Sequence, residues 1–233
     1  LEEFRNLKPV DIQQIEAGDE IKVSDNISVK VLRINHSIPD DLAIAVKTPA
    51  GTIVHYSDFK FDDTPVNDKP AQIEEMKQLS QEGVLILMSD STGAEKEGHS
   101  LSEQDITANL DKIISEATGM LIMGTFASLI NLIQQIISIS EKYGRKVVFD
   151  GYSMKTNVEI CKQLGYLKMR QGAQISADQI DDYPREKITA VVTGAQGDGN
   201  AVLMRVANGE HKKIQIKKND TIVFSSSVIP GNE

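Results

Sequence analysis

A chain of 233 residues with 40% hydrophobic and 25% charged content is long enough for one large or two modest domains, and its composition is that of an ordinary globular protein. The single cysteine, Cys161, excludes internal disulfides and cysteine-based zinc fingers, and a net charge of -9 argues against a broad nonspecific grip on nucleic acid, though not against a local basic groove. No apolar run reaches the roughly 18 residues needed to span a bilayer, and Leu1-Glu2-Glu3-Phe4-Arg5 lacks signal-peptide character, so a cytoplasmic location without a membrane partner is expected.

Residues 1 to about 100 read mainly as strands, over 20–23, 27–34, 42–46 and 52–56, with a Thr48-Pro49-Ala50-Gly51 turn between the last two. A helix near 71–81 and a buried strand over 84–88 follow. Antiparallel hairpins should dominate this part. From Ser102 the pattern alternates: helix 102–117, strand 120–124, helix 127–142, strand 146–149, helix 154–164, strand 188–193, helix near 200–207 and strand 221–225. That alternation predicts an α/β fold with a doubly wound parallel sheet, in which ligands collect at the carboxyl ends of the strands. Those ends carry Thr125-Phe126-Ala127-Ser128, Asp150-Gly151-Tyr152-Ser153, Thr193-Gly194-Ala195-Gln196 and Ser225-Ser226-Ser227, a set of small polar turns suited to a binding rim. Taken singly, each turn is explained by helix capping.

Two motifs carry metal-competent groups. His36 ends the apolar run 27–34 and Asp58 ends the run 52–56, so a hairpin brings a histidine and a carboxylate to one rim of a sheet. Imidazole suits zinc or manganese, and one carboxylate can bridge two metals around a shared hydroxide. The pair is half of such a site. Asp90 lies beyond the strand 84–88, where it reads by itself as a turn or cap carboxylate. The segment from Gly194 to Gly199 has neither dinucleotide-fingerprint spacing nor the Lys-Ser/Thr of a phosphate loop. His55, His99 and His211 lack a paired histidine at ligand spacing and read as structural or solvent-facing, and Cys161 reads as packing. Lys142, Arg145 and Lys146, like Lys212, Lys213, Lys217 and Lys218, read as solvated basic faces before RNA paths.

Taken together, His36-Ser37-Ile38-Pro39-Asp40, Ser57-Asp58-Phe59-Lys60, Ser89-Asp90-Ser91-Thr92, Thr125-Phe126-Ala127-Ser128, Ser153-Met154, Thr193-Gly194-Ala195-Gln196-Gly197 and Ile229-Pro230-Gly231-Asn232-Glu233 resemble bacterial ribonuclease J, in one consistent order from about Ala17 onward. The resemblance implies part of a metallo-β-lactamase αββα sandwich over 1–101, a β-CASP domain over 102–224, and a return toward the first domain over 225–233. It implies a nuclease holding two divalent metals, zinc or manganese, that degrades RNA from a 5′-monophosphorylated end, cuts internally, and serves RNA processing and mRNA decay. By the same resemblance His36 binds one metal, Asp58 bridges both, and Asp90 supports the site through a histidine. The resemblance further implies that Ser128, Ser153, Gln196 and Ser226 line the RNA path. Homodimers or tetramers are implied for the complete enzyme. The chain departs from the family in having Leu129, Asn131 and Leu132 after Ser128, Gly93 for an asparagine and Tyr152 for an arginine.

The family's His-x-His-x-Asp-His motif does not precede His36, so the expectation is a central piece of a longer enzyme, inactive and able to lack both metals when isolated. The competing expectation is a noncatalytic RNA-binding or scaffold subunit. A small-molecule hydrolase on the same fold is weakened by the second α/β unit.

Overall fold

The computed structural model describes residues 12–197 and 201–225. These divide into two compact units: one takes the described residues up to Ile34, then Asp40–Phe61 and Ala71–Lys96; the other takes Asn35–Pro39, Asp62–Pro70 and the described residues from Glu97 onward.

The first unit is a sheet of β1 (Glu20–Ser24), β2 (Ile27–Arg33), β3 (Leu42–Thr48), β4 (Gly51–His55) and β5 (Val84–Met88), arranged in sequence order, with helix α1 (Ile73–Glu82) between the last two strands. The pairs β1–β2, β2–β3 and β3–β4 are antiparallel, as the hairpin pattern predicts. Thr48 pairs with Gly51 across the expected turn, and the Thr48 hydroxyl donates to the Gly51 carbonyl at 2.9 Å. β4 and β5 are parallel, which requires a crossover, and α1 supplies it. Leu32, Ile34, Ala43, Ala45, Val54 and Leu79 of α1 form the core.

β5 corrects one expectation. Its apolar run is a strand but not a buried one: Leu85 is 61% and Leu87 62% exposed. It occupies the sheet edge and, among the described residues, pairs only with β4. A short apolar run identifies a strand without saying what covers it.

The second unit contains α2 (Glu103–Glu116), β6 (Leu121–Gly124), α3 (Ile130–Lys142), β7 (Lys146–Asp150), α4 (Tyr152–Gln163), β8 (Ile188–Val192), α5 (Val202–Ala207) and β9 (Thr221–Phe224). Its sheet runs β7-β8-β6-β9 with every pairing parallel. Alternate strand residues face opposite layers. Leu121, Met123, Val147 and Phe149 pack with Ile114, Ile133, Ile137, Met154 and Val158 of α2, α3 and α4. Ile122, Val148, Ala190 and Val192 pack on the other face with Val202, Leu203 and Val206 of α5. The sheet is therefore covered on both sides, and the doubly wound prediction holds.

Helix boundaries shift for local reasons. Phe126 to Leu129 close a turn, with the Leu129 N–H donating to the Phe126 carbonyl at 3.2 Å, so α3 begins at Ile130 rather than 127. Gly151, at φ +109°, reverses the chain directly after β7, so α4 begins at Tyr152 rather than 154. Two short 3-10 turns, Ala177–Asp182 and Arg185–Lys187, lie before β8 and have no counterpart among the predicted elements.

The basic cluster at 142–146 is not one solvated face. Arg145 is 4% exposed and donates to the carbonyls of Ala117, Gly119 and Ile188, while Lys142 pairs with Asp111 at 2.7 Å. Asp62, 5% exposed, accepts the N–H of Glu103 at 2.7 Å and of Thr64 at 3.0 Å, so it anchors the start of α2 beside the Ser102 cap. An Asp62→Ala variant should lose about 1–2 kcal/mol of stability. Chemical denaturation measures this, and an unchanged midpoint would refute the anchoring role.

Candidate functional site

Because the four strands of the second unit are parallel, their carboxyl ends share one edge. The register aligns Asp150 with Val192, Val192 with Gly124, and Gly124 with Phe224. The residues that follow, Gly151, Thr193, Thr125 and Ser225, form a polar row three strand spacings wide, about 14 Å. Cross-links hold the row: the Thr125 N–H donates to the Val192 carbonyl at 3.0 Å, and the Ser225 N–H and hydroxyl donate to the Gly124 carbonyl at 3.1 and 3.0 Å. After β6 and β7 the chain enters α3 and α4 on one face, whereas after β8 it enters α5 on the other. The β8 loop, Thr193 to Gln196, therefore diverges from both neighbours, which is the topological arrangement that opens a ligand crevice in parallel sheets. Among the described residues of this edge, the buried Thr125 hydroxyl has no hydrogen-bond partner.

Ser128 lies in the turn before α3, half-buried, and its carbonyl accepts from the Ile130 N–H at 2.8 Å. Ser153 is exposed in the first turn of α4, and Gln196 is half-buried in the β8 loop. All three reach the same edge. Ser226, the fourth predicted rim residue, lies outside the described residues, as do Asp198, Gly199 and the segment from Ile229 to Glu233.

His36 belongs to this unit too. Its motif is fastened to the rim: the Ser37 carbonyl accepts from the Ile130 N–H at 3.2 Å, two residues beyond Ser128. On the other side, the Asn35 amide donates to the Lys69 carbonyl at 2.9 Å and to Asp68 at 3.3 Å. Within the motif, the Ser37 hydroxyl lies 3.0 Å from His36 Nδ1, leaving Nε2 as the unengaged ring nitrogen of that contact.

Asp58 and Asp90 belong to the first unit. β4 and β5 are parallel, with His55 paired to Met88 and the Tyr56 N–H donating to the Met88 carbonyl at 2.8 Å, so both carboxylates leave the same end of the sheet. Asp58 is exposed. The neighbouring Ser57 hydroxyl donates to Asp41 at 3.2 Å, which adds Asp41 to that end. Asp90 accepts the N–H and hydroxyl of Thr92 at 3.0 and 2.8 Å, the geometry of a turn carboxylate. Among the described residues no group of three or more His, Cys, Asp or Glu is clustered to hold a metal. The donor chemistry of His36 and Asp58 suits zinc or manganese, but these two alone do not meet a catalytic metal's usual requirement of about three protein ligands.

His211 shows what spacing could not. It is 8% exposed and its Nδ1 accepts from the backbone N–H of Ile214 at 2.9 Å, which makes Nε2 the protonated nitrogen that donates to Asp150 at 2.8 Å. Asp150 also accepts from Lys155 at 2.5 Å and from the Gly151 N–H at 2.9 Å. Burial opposes ionisation of Asp150, but Lys155, the Gly151 amide and His211 outweigh it and hold the carboxyl below its usual range. The sequence separation of 61 residues hid this pairing. His55 and His99 are exposed, Lys213 pairs with Asp178 at 2.9 Å, and burial raises the Cys161 thiol pKa, in keeping with packing.

Among the described residues no helix is long and apolar enough to cross a membrane. Residues 118–233 match the family model described as ribonuclease J, beta-CASP domain. The chain is 41% identical over 235 residues to "Ribonuclease J" of Thermus thermophilus, covering 100% of this chain and 41% of that protein. It is 40% identical over 205 residues to "Ribonuclease J" of Helicobacter pylori strain 26695, covering 88% of this chain and 30% of that protein. It is 38% identical over 232 residues to "Ribonuclease J 1" of Streptococcus pyogenes serotype M3, covering 100% of this chain and 41% of that protein. The chain thus spans less than half the length of these relatives. A crystal structure of a protein of unknown function from Enterococcus faecalis V583 is similar in fold, with a TM-score of 0.54 at 16% identity over 79% of this chain and 45% of that one.

Proposed function

The chain belongs to the ribonuclease J family, and from that premise we propose that it is the central part of an RNA-degrading hydrolase acting 5′ to 3′ on 5′-monophosphorylated RNA, with internal cleavage as a second activity. The observation that carries this reading is the bond between the His36 motif and the Ser128 turn: Ser37 and Ile130 tie a metal-competent histidine to a polar rim at the carboxyl ends of a parallel sheet. In this reading residues 1–101 are part of a metallo-β-lactamase domain and 102–224 the β-CASP domain.

Ser128, Ser153 and Gln196 would hydrogen-bond phosphate and ribose oxygens, and Ser226 would join them. His36 would donate Nε2 to a metal, since a ligating imidazole is oriented by a partner on its other nitrogen, as Ser37 provides. Asp58 would supply a second ligand and Asp90 a supporting carboxylate. Bound zinc or manganese would supply Lewis acidity and a nucleophilic hydroxide. Since the described residues do not complete a metal site, the remaining ligands would come from elsewhere in the parent enzyme, and this piece by itself would be inactive. RNA processing and mRNA decay in the cytoplasm, as a dimer or tetramer, complete the reading.

The test is manganese-supported loss of 5′-monophosphorylated RNA by the full-length enzyme and by its Asp58→Ala variant. A fall of roughly a thousandfold is expected, because several kcal/mol of metal-derived stabilisation vanish. Equal rates would sink the metal assignment. RNA binding without any cleavage by the full-length protein would point instead to a noncatalytic RNA-binding scaffold.

A further inference from the structure

Tyr152 is 90% exposed, the highest value among the exposed large hydrophobic residues of the described chain. A loose surface tyrosine would be unremarkable. This one stands on a turn that is fixed from three sides. Asp150, two residues before it, is held by His211 at 2.8 Å and by Lys155 at 2.5 Å, and the Gly151 N–H donates back to Asp150 at 2.9 Å. Gly151 has φ +109° and lies so close to β8 that a Cβ would stand 2.6 Å from the Thr193 hydroxyl. Immediately after Tyr152, Ser153 begins the exposed polar edge, and Met154 is fully buried, which locks the first turn of α4 onto the core.

A rigid aromatic ring left in water needs a partner to be useful, and its surroundings decide which. Its neighbours on the rim are polar or charged: Ser153, Thr193, Gln196, the Gly151 turn and the Asp150–Lys155 ion pair. An isolated ring in a polar setting cannot join a hydrophobic protein patch, which needs contiguous apolar area. It does suit one flat, polar-edged ring. Splayed bases of single-stranded RNA stack on exposed aromatic side chains, and the contact is sequence-tolerant because every base has a π-face.

We infer that Tyr152 is a base-stacking platform, which holds one unpaired nucleobase of single-stranded RNA over the rim while Ser153 and the β8 loop hold its backbone. The inference rests on the RNA reading above and adds to it a residue that acts through the face of its ring rather than through its hydroxyl. The Asp150–His211 pair and the Gly151 amide bond fix the backbone turn from which Tyr152 projects.

The experiment is a binding cycle with the full-length protein in chelator, so that RNA is not cut. Wild type, Tyr152→Ala and Tyr152→Phe are titrated with a short single-stranded RNA and with the same RNA carrying one abasic residue, moved position by position. Tyr152→Ala should weaken binding of intact RNA about 5- to 150-fold, Tyr152→Phe should bind as wild type does, and at one position the abasic RNA should bind wild type and Tyr152→Ala equally. The residue is exposed, so unchanged thermal melting establishes that the variants are folded. The stacking role is overturned if Tyr152→Ala binds intact RNA as tightly as wild type, or if its loss is the same whichever base is missing. If wild type itself fails to bind RNA, the RNA reading falls and the platform with it, an outcome distinct from the other two.

Discussion

Asp220→Ala should cost about 3–5 kcal/mol and lower the melting temperature by something of order 10 °C. The Asp220 side chain is fully buried and saturated with donors. It accepts the Met120 N–H at 2.9 Å, the Lys217 N–H at 2.8 Å and two bonds from the Arg185 guanidinium, one at 2.9 Å from Nε. These bonds join the starts of β6 and β9, where the Thr221 N–H donates to the Met120 carbonyl at 3.0 Å. The packing there leaves no slack: a Cβ on Gly119 would lie 2.4 Å from the Asn219 carbonyl oxygen. Truncation leaves the part-buried Arg185 cation without its counter-charge, although it keeps the Gln215 carbonyl, and two amides without acceptors, which is why the loss should exceed that of an ordinary surface ion pair. Asp220→Asn keeps the shape but loses the charge and should fall between the two.

The same carboxylate sets an acid limit. Burial opposes its ionisation, but the Arg185 bonds and the two backbone amides prevail and hold it below the usual carboxylate range. A carboxyl depressed in the folded state gives its full stabilisation above the unfolded value near pH 4 and loses it as pH falls through the folded value. Wild type should therefore lose stability on acidification below about pH 4 more steeply than Asp220→Asn. Parallel slopes in denaturation followed down the pH scale would contradict this account.

Gly151→Ala is expected to cost about 3 kcal/mol, with a larger effect on RNA affinity than its position on the surface would suggest. The backbone there, φ +109° and ψ 139°, is one that residues with a Cβ rarely adopt, and the added methyl would overlap the Thr193 side chain at 2.6 Å to Oγ1 and 3.0 Å to Cγ2. Either the Thr193 loop or the Tyr152–Ser153 turn must move, and both belong to the rim. Adding Thr193→Ala should return the steric part of the loss but not the backbone part, so the two substitutions should couple favourably by more than about 0.5 kcal/mol. Simple additivity in melting measurements would show that the turns are not packed as described.

The legible parts of this protein were those written in local pattern. Alternating apolar strands and helical stretches from Ser102 onward translated into four parallel strands covered on both faces, and the hairpin turn at Thr48-Pro49-Ala50-Gly51 appeared where expected. That the turns holding Ser128, Ser153 and Gln196 share one edge is also legible, because parallel strands send every carboxyl-end turn to the same side. The apolar run 84–88 marks a strand without saying what covers it, and its side chains are exposed. The basic residues at 142–146 look alike in sequence, yet Arg145 is a buried donor to three carbonyls.

Chain pattern by itself thus determined element type, order and the common edge of the turns, since those follow from periodicities of two and 3.6 residues and from the parallel arrangement they impose. Tertiary structure alone decided which polar groups meet: His211 with Asp150 across 61 residues, Arg185 with Asp220 across 35, and Ser37 with Ile130 at the head of α3. A hydrogen bond needs a separation near 3 Å and a direction, and neither is encoded in the spacing of residues that approach only when the sheet and its helices close around one core.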